Sequence, residues 1–122
     1  MRFMIIVKAT LDTEAGMMPG ESLFAAMADY HQELARAGVL LDANGLRPTR
    51  DGWRIRHHEG RRSVVDGPFA ETTELIAGYT LIQVRSREEA MEWSRRFPAP
   101  HGALLDGEIE VRQLYEPGDL PH

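Results

Sequence analysis

The chain has no cysteine among its 122 residues, which excludes disulfides, thiolate nucleophiles and cysteine-ligated zinc together. It is also short of positive charge: 14 lysines and arginines face 19 aspartates and glutamates, for a net charge of -5. General nucleic-acid affinity needs a cationic surface that releases counterions, so no nucleic-acid partner is expected. Long apolar runs are missing as well, and nothing approaches the ~20 residues that cross a bilayer. The start, Met1-Arg2-Phe3-Met4, leads into a strand-like pattern rather than a basic region, an apolar stretch and a small-residue cleavage site. A cytoplasmic protein without a membrane partner is the expectation. The chain also has no Gly-rich phosphate loop, no GxSxG and no HxH, HxxxH or HExxH spacing, so no cofactor or metal site is implied.

What is present suffices for a core. Apolar residues make up 43% of the chain, enough for one domain without staples. That domain is expected over residues 1–116, followed by a loose tail at 117–122 that contains Pro and Gly. Phe3 to Val7 is apolar at every position and reads as a strand buried on both faces. A loop is expected over Asp12 to Pro19. Glu21 to Ala37 follows as a helix, with Phe24, Met27, Ala28, His31, Leu34 and Ala35 on one face and Gly38 as its stop. A second strand, Val39 to Asp42, is expected to end in an Asn44-Gly45 turn. Trp53 to His58 and Arg61 to Val65 form a hairpin closed by Glu59-Gly60. Glu71 to Ile76 is a short helical turn, and Gly78 to Val84 the next strand. Ser86 and Glu89 spell a capping box for a helix that ends before Pro98, its apolar face made of Ala90, Met91, Trp93 and Phe97. Glu108 to Tyr115 is the last strand.

The order is β-α-β, a hairpin, then β-α-β. This is the α+β pattern of a ferredoxin-like split β-α-β with an inserted hairpin. Two helices cover one face of such a sheet, yet FMIIV and YTLIQV carry apolar side chains toward the other. Monomers rarely leave so large an apolar face in water. Pairing two sheets face to face buries it, at roughly 25 cal/mol per Å², so the pattern leads to a symmetric homodimer with a barrel-like core.

The segment Asp66 to Tyr79, DGPFAETTELIAGY, combines a Gly-Pro turn, the apolar anchor Phe69 and the carboxylates Glu71 and Glu74. With YHQELARAGVLLDANGLRP, VRSREEAMEWSRRFPAP and EIEVRQLYE, it resembles the DGPF-type branch of the YCII-related (YciI-like) proteins. The resemblance spans nearly the whole chain. It implies a dimeric α+β barrel and a cleft at the sheet–sheet junction that holds a small molecule in some members. Some YciI-like relatives are associated with dehydrochlorination-type or lyase-like chemistry through a His–Asp pair. This chain departs from the pattern at three places: Met27 stands where that His would be, Thr73 where DGPF members carry Lys, and Asn44 where many carry Asp or Glu. Genes of the family often neighbour extracytoplasmic-function sigma factors, a hint of a regulatory association.

Asp66 is the first candidate acid or base, because a turn fixes its geometry; a purely structural Asp66 would instead bond its own turn amides. His31 is the second, one helical turn from Met27 and titrating near neutrality; a lone histidine on an apolar helix face otherwise packs in the core. Tyr79, Glu71, Glu74 and Arg54 are candidate ligand contacts. Tyr79 is expected to line the cleft, where its hydroxyl needs a partner, and Glu71 and Glu74 otherwise cap their short helix. Arg54 belongs to a basic segment from Arg47 to Arg62 that would suit an anion or acidic partner. The same arginines equally deter aggregation along an edge hairpin. Two functions follow: a small-molecule binder, in its catalytic form a cofactor-free lyase or isomerase, or a non-catalytic regulatory or interaction module.

Overall fold

The computed structural model describes residues 1–71, 74–102 and 105–121. Among the described residues, six strands and three α-helices form an α+β fold with antiparallel sheets. Strands β1 (Arg2–Lys8), β2 (Leu40–Gly45), β5 (Ile76–Gln83) and β6 (Ile109–Gln113) make a four-stranded sheet in the order β2-β5-β1-β6. Among the described residues, the strands β3 (Trp53–His58) and β4 (Arg61–Asp66) pair only with each other. The helices are α1 (Leu11–Glu14), α2 (Glu21–Arg36) and α3 (Arg87–Arg95).

Strand alternation separates the two faces of the large sheet. Phe3, Ile5, Ile82 and Val84 are buried, and Val7, Leu40, Ile109 and Val111 join them in a core closed by Tyr30, Leu34, Ala90 and Phe97. Met4, Ile6, Tyr79 and Leu81 alternate with these and remain half-buried on the face away from the helices. Within one chain, therefore, β1 is fully buried on one face alone, where FMIIV suggested two.

Helix α2 ends where expected, with Gly38 at φ +74° just past the C-cap. Its buried stripe is rotated from the expected one. Tyr30 and Leu34 are buried, Leu23, Met27 and His31 half-buried, while Phe24 is exposed. The reason is an aromatic cluster: Tyr30 stands edge-on to Phe97 at 5.1 Å and to Trp93 at 6.3 Å, and its hydroxyl donates to the Trp93 carbonyl at 2.7 Å. On α3, Ser86 Oγ accepts from the Glu89 amide at 3.1 Å as expected of a cap, but the Glu89 carboxylate takes the Arg85 amide at 3.0 Å.

Several other expectations are corrected. The segment expected as a loop at Asp12 to Pro19 begins with α1, which a reciprocal Thr10–Thr13 capping box starts. Asn44 and Gly45 are not a turn but the end of β2, in register with Tyr79 and Gly78 after a bulge near Leu41. Glu116, the last residue of the expected domain, is tied to Arg2 at 3.2 Å, and an exposed 3-10 turn, Pro117–Asp119, follows it. The hairpin turn is as expected: Glu59 and Gly60 both have positive φ, 50° and 77°, the twist that suits a two-residue hairpin loop.

Candidate functional site

The DGPF turn is positioned by a contact that its own residues do not announce. Phe69 donates its amide to Thr49 Oγ1 at 3.0 Å, Gly67 donates to the Gly52 carbonyl at 3.0 Å, and Thr49 is held in turn by the Glu14 carboxylate of α1. A methyl group at Gly67 would overlap the Thr49 carbonyl, so the close approach requires glycine there. The turn locks residues 49–52 to the base of β4.

Beside this joint is a groove of about 510 Å³, lined among others by Leu46, Trp53, Arg54, Phe69, Glu74 and Leu75, a volume in the range of small-molecule sites. Arg54 is fixed in it. Its guanidinium lies over the Phe69 ring, 3.7 Å from the centroid, and 3.5 Å from Glu71 Oε2. The structure thus gathers Arg54, Glu71 and Glu74 in one neighbourhood. Glu74 also closes a turn onto the Glu71 carbonyl at 3.0 Å. Thr73 lies outside the described residues.

Asp66 ends β4 opposite Trp53 and is exposed. It is not among the residues lining the groove. His31 lies elsewhere. Its Nε2 is 2.8 Å from Thr80 Oγ1, with Thr80 fully buried under α2. Burial holds the His31 pKa below its ordinary value of 6.5, while a hydrogen bond with the Met27 backbone works in the other direction. A neutral imidazole accepting from the Thr80 hydroxyl fits this setting.

Tyr79 precedes Thr80 on β5 and so leaves the opposite face of the sheet. The structure separates Tyr79 from His31, so the two cannot line one cleft. What Tyr79 does meet is a pair that the sequence reading did not select. Its hydroxyl donates to Asp42 Oδ2 at 2.8 Å and accepts from Asn44 Nδ2 at 3.0 Å, and Asn44 also reaches Asp42 Oδ1 at 3.1 Å. The Ala43 amide fixes the same Asp42 oxygen at 2.9 Å. Asp42 and Asn44 are two apart on β2 and Tyr79 is the register partner of Asn44, a signal visible once β2 is extended past Asp42. Met4, Ile6 and Leu81 share this face, and Lys8, Glu110 and Arg112 form an ion-pair chain along its β6 side, at 3.8 and 3.3 Å.

The N–H and O–H groups of these three side chains are engaged with one another, so what they offer a polar ligand on this apolar floor is acceptors, the Asn44 Oδ1 and the remaining lone pairs of the Asp42 carboxylate. Among the described residues no three His, Asp or Glu side chains gather as a metal ion needs, and no helix is long and apolar enough to cross a membrane.

A model of the YCII-related domain matches residues 1–116 of this chain. The chain belongs to the YCII-related family. It is also 33% identical over 101 residues, 83% of this chain and 82% of the relative, to an uncharacterized protein of Rhizobium meliloti (strain 1021). Membership of the YCII-related family accounts for nearly the full described length and leaves the chemistry to be argued from the residues themselves.

Proposed function

We propose that this protein is a cytoplasmic homodimer of the DGPF-type branch that binds a small organic molecule between paired sheet faces. In this reading the four-stranded sheet and the helices α2 and α3 are a ferredoxin-like split β-α-β unit, one domain over residues 1–116 with a short tail, and β3–β4 is the inserted hairpin. The order β2-β5-β1-β6 supports that assignment. The observation that carries the function is the Tyr79–Asp42–Asn44 group on the sheet face that the helices leave uncovered. Pairing two such faces would bury Met4, Ile6 and Leu81 and enclose a polar anchor within an apolar cavity, the usual composition of a small-molecule site. Arg54, Glu71 and Glu74 would border the same cavity from the DGPF side.

The test is a thermal-shift screen of metabolites against the wild type, Asp42→Asn and Tyr79→Phe. A ligand of this site raises the melting temperature of the wild type in proportion to the logarithm of its excess over Kd, and both variants lose most of that shift. A ligand that stabilises all three equally, or a screen in which none stabilises the wild type, removes the proposal. In its catalytic form the protein is a cofactor-free lyase or isomerase with Asp66 as acid or base. Asp66→Asn then abolishes turnover of the ligand and leaves its affinity unchanged, whereas unchanged turnover dismisses Asp66.

A further inference from the structure

The hydrogen bonds within the Tyr79–Asp42–Asn44 group leave it able to accept and unable to donate. The Tyr79 hydroxyl gives its single hydrogen to Asp42 Oδ2, and the Asn44 amide gives its two to Asp42 Oδ1 and the Tyr79 oxygen. The reverse amide orientation would set Asn44 Oδ1 against the carboxylate, so the network fixes which end of Asn44 stays open. With the Ala43 amide also on Oδ1, the Asp42 carboxylate has three of its roughly four acceptor sites filled. What remains lies on Asp42 Oδ2 and Asn44 Oδ1. A ligand that completes the set brings N–H or O–H groups.

Charge narrows the class further. Among the described residues Asp42 belongs to no ion pair. Lys8 and Arg112, the cations of this face, both pair with Glu110. They stand two and three strands from β2, roughly 10 and 14 Å away at ordinary strand spacing. Arg47, just past the end of β2, pairs with Asp51. Enclosure between two sheet faces takes the Asp42 carboxylate out of water, where it needs a cation.

The register places the rest of the ligand. Asp42 pairs with Leu81 and Leu81 with Met4, while Asn44 pairs with Tyr79 and Tyr79 with Ile6. Ladder partners share a face, so the open acceptors stand beside a strip of Leu81, Met4 and Ile6. The strip suits an apolar body, and the Tyr79 ring attracts a cation.

We propose that this group selects an organic ammonium. The ligand is a small amine whose charged nitrogen donates to Asp42 Oδ2 and Asn44 Oδ1, and whose apolar body lies along Leu81, Met4 and Ile6. The inference rests on the proposed binding between paired sheet faces and adds the class of ligand to it. Carboxylates and phosphates are rejected at the same anchor, because they bring acceptors and like charge.

Head-group triplets on one carbon skeleton test the class. Phenethylamine, phenethyl alcohol and phenylacetate form one set; isoamylamine, isoamyl alcohol and isovalerate form another. Each is read by thermal shift and isothermal titration against the wild type, Asp42→Asn and Tyr79→Phe. The expected result is an amine that stabilises the wild type and binds roughly tenfold more tightly than its alcohol, with no binding of its carboxylate. Asp42→Asn should weaken that amine roughly tenfold. Asp42→Ser serves if the first variant does not fold, and the order of head groups in the wild type needs no variant. A carboxylate or alcohol that binds as well as its amine, and is weakened by Tyr79→Phe, overturns the ammonium while leaving the site in place. Amine binding unchanged in Asp42→Asn overturns it too, as does a wild type that no amine stabilises. The wider reading falls only when no ligand of any charge depends on Asp42 and Tyr79.

Discussion

Tyr79 and Thr80 are consecutive in β5, so their side chains leave opposite faces of the sheet and meet different chemistry. Thr80 takes His31 into the core, and that has a pH consequence. The folded state lowers the His31 pKa from 6.5, so as pH falls the unfolded chain takes up this proton first. The stability that depends on neutral His31 is therefore full above about 6.5 and is lost as pH falls from there toward the folded value. Urea melts between pH 8 and pH 5 should show this loss in the wild type, and His31→Gln should flatten that part of the profile; an unchanged profile would remove His31 as its source. Tyr30 behaves oppositely at the alkaline end. Burial, opposed by Arg96 and reinforced by Glu33, pushes its phenol up to about 12. Stability that depends on the protonated phenol is present below about 10, its ordinary value, and is lost as pH rises through 12. Tyr30→Phe at neutral pH removes the phenol's bond to the Trp93 carbonyl, which keeps the Arg96 amide as a donor, and should cost about 1 kcal/mol by chemical denaturation.

At the scale of elements, the DGPF turn is a joint more than a source of reactive groups. Its amides bind Thr49 and Gly52, and its glycine sits against the Thr49 carbonyl. Gly67→Ala must therefore displace backbone rather than a flexible side chain. The loss should be about 3 kcal/mol, the upper end of the usual overpacking range, read as a lower denaturation midpoint. The hairpin turn offers the reverse experiment. Glu59 pays for a left-handed backbone at φ 50°, which asparagine tolerates better, so Glu59→Asn should stabilise by up to about 1 kcal/mol. A lower melting temperature in that variant would mean that Glu59 contributes more than turn geometry. Ser86→Ala, which removes the α3 cap, should cost about 1 kcal/mol.

For the whole molecule the question is what covers the second face of the sheet. Met4, Ile6, Tyr79 and Leu81 lie there opposite the helices. If two subunits pair on it, Ile6→Asp with Leu81→Asp puts four like charges into one interface and should halve the sedimenting mass contributed by that contact. A wild type and double variant of identical mass would leave the face to another partner.

Periodicity and turn chemistry made much of the fold legible before any coordinates: the span of α2, the Glu59-Gly60 hairpin, the Ser86 cap and the order of strands all follow from local patterns of neighbours along the chain. The face that α2 buries did not, because Tyr30 is selected by Phe97 and Trp93, more than 60 residues away. Nor did the extension of β2, since Asn44-Gly45 has turn chemistry and only pairing with β5 holds it extended. The candidate site divides in the same way. Tyr79, Arg54, Glu71 and Glu74 could be selected as residue types, but Asp42 joins Tyr79 only through strand register, and His31 is sent to the other side by the alternation of β5. Sequence determines which side chains an element presents at each turn or pleat; tertiary structure alone decides which of them meet, because distant strands set the register and buried surface sets the rotation.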